Sequence, residues 1–285
     1  MNQPNPEQLK QQQHKTWSTV ADGWHRRHEL LARCSAPVTA RMLELAHIGP
    51  GAAVLDIASG SGEPAISAAR RVGAGGSVLG TDLVEDMLVY ARAHAQAAGL
   101  ENIEFRCIDS EMLELEAGTF DAATMRWGLM FMPDPIGVLE RVRRALRSGA
   151  HIALTCWAEP DRNPFISLSI EVLRNYCEVP QPPPGTPGMF AFADRKRITE
   201  TMEAAGFIAV SVEDMEIITF EADTADEYWK ILYDLAGPVA VLYNEMDEKS
   251  QKDFVEEFTG RVTELSDGTT FGLKGTTWIA AGEKP

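Results

Sequence analysis

The chemistry in this chain gathers at four points between residues 56 and 131. The first is Asp56-Ile57-Ala58-Ser59-Gly60-Ser61-Gly62, a carboxylate inside an apolar run followed by a turn of small residues. Glycines let a backbone approach a ligand closely, and a helix starting just past the turn offers free N–H groups with partial positive charge. Pro64 suits the first turn of that helix, where a missing N–H costs nothing. The second point is Asp82, whose carboxylate can accept hydrogen bonds from ribose hydroxyls. The third is Asp109 with Ser110, where a carboxylate can accept from an exocyclic adenine amine. The fourth is 126–131, opening with Arg126. Asp56 needs donors in its apolar run: it either organises the N–H groups of the turn, the reading ranked first, or takes a ligand ammonium.

These points need elements to hold them, and the pattern supplies an alternation. A strand at 53–58 is followed by a helix near 63–73. A strand Ser77–Thr81 precedes a helix near 84–98, ended by Gly99. Strands Ile103–Cys107 and Asp121–Arg126 follow. Asp134-Pro135 opens a helix with Ile136, Leu139, Val142 and Leu146 on one face, and a strand His151–Trp157 closes the series. Strands alternating with helices imply parallel pairing, an α/β doubly wound sheet, with ligands at the carboxyl ends of its strands. All four points sit at such ends.

Residues 1–14 are polar and Gln-rich and are expected to fray. Trp17, Val20, Trp24, His28 and Leu31 make one helical face, interrupted at Gly23, and a second helix spans Pro37–Ala46. Past Trp157, residues 159–164 and 179–188 are rich in Pro and Gly. Asp194 caps a helix to Ala205, and a strand covers 207–215. A helical insertion runs over 224–266, opened by Thr224 and Glu227 at capping-box spacing, with a stripe of Phe254, Phe258, Val262 and Leu265. The last strand is Thr276–Ala281. The expected organisation is a helical lid at 1–48, a ligand-binding core at 49–160, and at 161–285 the remaining strands with a helical cap at 223–268.

A net charge of −16 over 285 residues excludes a nucleic-acid partner, because phosphate binding needs a basic footprint. Cys34, Cys107, Cys156 and Cys177 form no CxxC pair, and Cys107 and Cys156 fall in strands, so buried free thiols in a reducing compartment are expected. With no apolar leader and no run long enough to span a membrane, the expected location is the cytoplasm. No Cys, His and carboxylate spacing suggests a metal.

VLDIASGSGEP, GTDLVEDML, CIDSEML, FDAATMRWGLMFMPD and LRSGAHIALTCW together resemble the successive motifs of class I S-adenosylmethionine-dependent methyltransferases, in the branch similar to ubiquinone and menaquinone biosynthesis enzymes. The resemblance runs from about Trp17 to Trp157 and implies a seven-stranded Rossmann-like sheet. It implies that the backbone of Ala58, Ser59, Gly60 and Gly62 contacts the methionyl end of the cofactor, beside Asp56. Asp82 would bind the ribose, Leu83 would pack on the adenine, Asp109 and Ser110 would hold the adenine edge, and Arg126 would sit beside the cofactor. The family usually has Gly or Ala at position 58, and Ala58 is expected to take an ordinary backbone angle. Ser148-Gly149-Ala150 replaces a common Pro-Gly-Gly turn.

Methyl transfer from a sulfonium is an in-line displacement to a small metabolite, for which the protein supplies alignment and water exclusion. His25 and His28 are the candidates if a base is used. Trp24, Trp127, Met130 and Phe131, with Trp17 beside them, would line an apolar or aromatic acceptor pocket. Two alternatives stand: Gly60-x-Gly62-x-x-Ala65 with Asp82 also fits a nicotinamide dehydrogenase, and a non-catalytic cofactor-binding protein would carry the same loop.

Overall fold

A computed structural model describes residues 5–180, 185–266 and 270–285. Gln181–Pro184, in the expected Pro-rich loop, lie outside the described residues, as do residues 1–4 and the last two positions of the expected cap, 267 and 268.

Five parallel strands follow the predicted alternation: β1 (Ala53–Ile57), β2 (Ser77–Asp82), β3 (Ile103–Cys107), β4 (Phe120–Arg126) and β5 (Leu146–Trp157). Helices α1 (Pro6–Arg26) and α2 (His28–Leu45) precede them, and α3 (Ala65–Val72), α4 (Glu85–Ala97) and α5 (Pro135–Ala145) connect them. After β5 come α6 (Pro164–Leu173), α7 (Arg195–Ala204), β6 (Ile208–Ile218), α8 (Ala225–Leu235), α9 (Gly237–Glu245), α10 (Glu248–Leu265) and β7 (Lys274–Glu283). The seven strands lie in the order β3-β2-β1-β4-β5-β7-β6, with β7 antiparallel to both neighbours. The order reverses between β1 and β4, which opens a crevice at their carboxyl ends.

The core fills both faces of the sheet. Val54, Leu55, Ile57, Ala122, Ala123 and Ile152 are fully buried, as expected for strands covered by helices on both sides. Phe254, Phe258 and Val262 of α10 are also fully buried, whereas Leu265 of the same stripe and Ile136 of the α5 face are exposed. The Thr224 cap forms, with its Oγ1 accepting from Glu227 N–H at 3.1 Å.

Several expectations are corrected. Helix α1 begins at Pro6 and runs unbroken through Gly23. A side chain at 23 would meet the Asp234 carbonyl oxygen at 2.0 Å, so this glycine serves close contact with α8 and does not break the helix. Pro37 lies inside α2 instead of starting it. Proline there costs roughly 3 kcal/mol, but Val38, Met42 and Leu43 are buried at roughly 1.5–3 kcal/mol each. Pro64 is the N-cap of α3 and not its first residue. Helix α6 had no counterpart in the sequence reading: it is apolar nearly all round, so it shows no helical period. Cys107 is exposed because β3 is an edge strand, while Cys156 is buried, and burial pushes its thiol pKa up.

Candidate active site

The glycine turn is held from three sides. Ser59 N–H donates to Thr81 O at 2.9 Å, Gly62 N–H to Ser59 O at 2.9 Å, and Gly60 N–H to Asp82 Oδ2 at 2.8 Å. Asp82 Oδ1 accepts from Val84 N–H at 2.9 Å, so this carboxylate fastens the turn to the end of β2. Burial raises its pKa, against the pull of these backbone bonds. Ala58 has φ 55°, contrary to the ordinary angle expected of it, and Gly60 and Gly62 have φ 51° and 118°. The turn is left-handed at its first residue, where a non-glycine residue carries strain. A side chain on Gly60 would enter open space, the position where a ligand can lie against the backbone.

Asp56 does not bind the N–H groups of the turn as first ranked. Its Oδ1 accepts from Thr124 Oγ1 at 2.6 Å, across the β1–β4 pair, and its buried Oδ2 has no partner. Burial drives its pKa to about 7, against the pull of the Ser59 and Thr124 hydroxyls and of the Arg126 charge. An orphan carboxylate oxygen at the crevice is a ready acceptor for a ligand ammonium. Ile108 N–H bonds Asp82 O at 2.8 Å and so brings the end of β3 alongside. Asp109 caps the short turn after β3 through Glu111 N–H at 2.9 Å, and Ser110 beside it is buried. Arg126 donates to Ser35 Oγ at 2.6 Å, Thr39 Oγ1 at 2.9 Å and Glu63 O at 3.2 Å. The four strand ends are therefore tied together at the carboxyl end of the sheet, where the strand order reverses.

Helix α1 lies over it. Lys10 Nζ bonds Asp109 Oδ2 at 2.8 Å and Glu111 Oε2 at 2.6 Å. Burial opposes the charge on Lys10, but the two carboxylates outweigh it and raise its pKa. Val20 and Ala21 pack on Val84 and Met87, with Trp17 and Leu83 beside them. His25, fifteen residues and about 22 Å along the helix, meets His94 at 2.9 Å between Nδ1 and Nε2. His94 Nδ1 lies 2.8 Å from Ser61 O, which can only accept. The proton of neutral His94 is therefore on Nδ1, and His25 donates to its Nε2. His28 stacks on His94 at 3.6 Å, and burial first, then His94, lower its pKa to about 4.

Of the acceptor-pocket residues, Trp24 and Phe131 both pack edge-on against Trp17, at 5.8 and 5.2 Å, and Trp24 Nε1–H donates to Leu235 O at 3.1 Å. Met130 is buried in the main core. Trp127 stands apart from that cluster: it stacks on Trp157 at 4.5 Å, lies under Arg126 at 5.0 Å, and bonds Thr277 Oγ1 at 2.9 Å. Its φ of 54° places a second strained residue at the crevice. Sequence reasoning missed Lys10, His94, Ser35, Thr39 and Trp157. Ser35 and Thr39, hydroxyls four apart on one helical face, were the only signal among them.

Among the described residues no cluster of His, Cys, Asp or Glu could hold a metal, and no helix is long and apolar enough to cross a membrane.

Residues 37–169, which carry most of these strand ends, match the ubiE/COQ5 methyltransferase family. Nocamycin O-methyltransferase of Saccharothrix syringae is 37% identical over 119 residues, 42% of this chain and 42% of that protein. Demethylmenaquinone methyltransferase of Lactococcus lactis is 28% identical over 178 residues, 57% of this chain and 68% of that protein. The chain spans about half the length of the first curated relatives it matches. Phosphoethanolamine N-methyltransferase 2 of Haemonchus contortus, solved with phosphomonomethylethanolamine and S-adenosylhomocysteine, shares the fold with a TM-score of 0.54 at 20% identity, over 87% of this chain and 52% of that one.

Proposed function

We propose that this protein transfers a methyl group from S-adenosylmethionine to a small apolar or aromatic metabolite. The observation that carries the reading is the set of strand-end groups in one cleft. The left-handed turn has open space over Gly60, Asp82 is fastened to that turn, Asp109 closes the far end, and the orphan Asp56 Oδ2 lies beneath. Three carboxylates around one crevice suit a ligand bearing a sulfonium and an ammonium. When bound, the cofactor supplies an already activated methyl group. In this reading Ala58, Ser59, Gly60 and Gly62 present backbone to its methionyl end, with Asp56 and Arg126 beside them. Asp82 takes the ribose, Leu83 packs on the adenine, and Asp109 and Ser110 hold the adenine edge.

Helix α1 is the lid of the cleft, with residues 1–48 as its segment, and α8, α9 and α10 form the cap over the acceptor side. Trp24 and Phe131, joined through Trp17, line the acceptor pocket; Trp127 orients Arg126, and Met130 is packing. His25 and His28 hold α1 and α2 against α4 through His94, and they are the candidates where the acceptor needs a base. Alignment and exclusion of water, which the lid provides, are the protein's main contribution.

Titration calorimetry with S-adenosylhomocysteine, and with NAD⁺ for comparison, tests the reading. Micromolar binding of the first, roughly −8 kcal/mol, with none of the second is expected. Binding of NAD⁺ alone would overturn it in favour of a dehydrogenase.

A further inference from the structure

Three histidines meet where the lid joins the core. His25, in the last turn of α1, and His28, the first residue of α2, stand on either side of the junction at Arg27. Both close on one side chain of α4. His25 Nδ1 lies 2.9 Å from His94 Nε2, and the His28 ring stacks on the His94 ring at 3.6 Å. On its other side His94 donates from Nδ1 to Ser61 O, inside the glycine turn, at 2.8 Å. One imidazole thus ties the lid to the turn, through a line of bonds from α1 across α4 to the backbone beside the cleft.

This tie limits the protons it can hold. Two imidazole nitrogens that face each other share one hydrogen, and one of them must offer a lone pair. One extra proton is tolerated, either on His25 Nε2 or on His94 with His25 in its other tautomer. A second extra proton puts an N–H on both facing nitrogens and breaks the bond. His28 makes no hydrogen bond among the described residues, and the charges of Arg126 on β4 and Arg70 on α3 act on it. Burial first, then His94 and Arg126, lowers its pKa to about 4. Burial also lowers the pKa of His94, against its bond to Ser61 O; His25 adds to the fall and Glu63 opposes it. His25 stacks on Tyr90 of α4 at 4.2 Å, and the Tyr90 hydroxyl bonds Asp22 of the lid. Among the described residues no carboxylate bonds any of the three rings, so added charge there goes unpaired.

We propose that His94 is a positioning residue that fastens the lid to the glycine turn only while the histidine cluster holds no more than one extra proton, so that acid releases the lid. The inference rests on the reading of α1 as a lid. Released rings return to the ordinary imidazole range and bind more protons than the closed cluster. Closure is therefore complete above about pH 6.5 and is lost as the pH falls toward about 4.

Amide hydrogen exchange on the full chain without ligand, at about pH 7.5 and about pH 5.5 and corrected for the intrinsic rates, reads the latch. Protection of α1 and of the start of α2 should fall roughly tenfold from His28 alone, and further from the second proton on the pair, while β1 and β4 keep theirs. His28→Phe keeps a stacked ring without a proton and should cut that fall severalfold. The two His94 variants separate the two bonds. His94→Gln sets an amide oxygen near the place of Nε2 and loses the donor to Ser61 O. It should keep α1 protected, lose the pair's share of the pH dependence, and expose the N–H groups of Ser59, Gly60 and Gly62 at both pH values. His94→Asn keeps the donor to Ser61 O and loses the reach to His25, so α1 should be open already at about pH 7.5 with the turn still protected. Protection of α1 that ignores pH in the wild type overturns the latch. So does a fall shared equally by β1 and β4, or a pH step that all three variants keep in full. If the His94 variants do not fold, the wild type and His28→Phe decide by the same criteria. No binding of S-adenosylhomocysteine to the wild type at about pH 7.5 overturns the methyltransferase reading instead, whatever the exchange shows.

Discussion

Replacing glycine by alanine inside a helix ordinarily stabilises it by about 1 kcal/mol. Gly23→Ala should do the opposite. The new Cβ would stand 2.0 Å from the Asp234 carbonyl oxygen and 2.8 Å from its carbon, and these are backbone atoms that cannot rotate away. Helices α1 and α8 would have to separate by ~1 Å or more, which is the overpacking case and costs ~1–3 kcal/mol. The same junction holds the ion pairs of Arg26 and Arg27 with Asp234, at 2.6 and 2.8 Å, and the Trp24 bond to Leu235. Their loosening outweighs the gain in helix propensity. The net loss is ~2 kcal/mol, a fall in Tm of roughly 4–8 °C for a chain of this size. Circular-dichroism melting reads that change. Limited trypsin digestion should cut faster at Arg26 and Arg27 as they leave Asp234, and S-adenosylhomocysteine should bind more weakly as the lid lifts. A variant more stable than the wild type, with Arg26 and Arg27 still protected, would refute the close α1–α8 contact and the role given to it.

Three further outcomes are expected. In Asp56→Asn the folded state no longer carries a carboxyl whose pKa burial has raised to about 7. The wild type loses stability as pH rises from the ordinary carboxylate range to that value. The variant's stability relative to the wild type, without ligand, should therefore grow by up to ~1.4 kcal/mol per pH unit over the same window; a constant difference would remove the shift. Ala58→Gly should relieve ~1–2 kcal/mol of left-handed strain against ~0.4–1 kcal/mol of added chain entropy, for a small rise in Tm. A lower Tm would mean that contact of the Ala58 methyl with the neighbouring loop outweighs the strain. Lys10→Met should speed release of S-adenosylhomocysteine severalfold in stopped-flow experiments and remove part of its salt dependence; an unchanged off-rate would exclude Lys10 as a latch.

The sheet was legible because each buried strand is a short apolar run bounded by turn residues, and each helix that covers it has a polar outer face. The same rule explains the misses. Helix α6 has no polar face to set a period, and Pro37 and Gly23 read as breaks although tertiary contact overrides both. In the cleft, Asp82 and Asp109 were recognisable because their positions at strand ends are fixed by the alternation. The left-handed angle of Ala58 was not, since nothing in its residue type demands it. Lys10 and His94 lay beyond reach for a different reason. Their roles depend on where α1 crosses the sheet, and that is set by its contacts with α4, α8 and α9.

Helix α1 joins partners that are far apart in the chain. Lys10 and Asp109 are 99 residues apart, and Trp24 and Leu235 are 211 apart. The entropy of closing so long a loop is modest, because each doubling adds only ~0.6 kcal/mol. The delay during synthesis is not modest. At roughly 5–20 residues per second, Trp24 waits about 10–40 s on the ribosome before Leu235 exists to receive it. Throughout that interval the apolar face of Trp17, Val20 and Trp24 lacks its α8 partner, which makes it a natural handle for a chaperone and the first surface through which a nascent chain would aggregate.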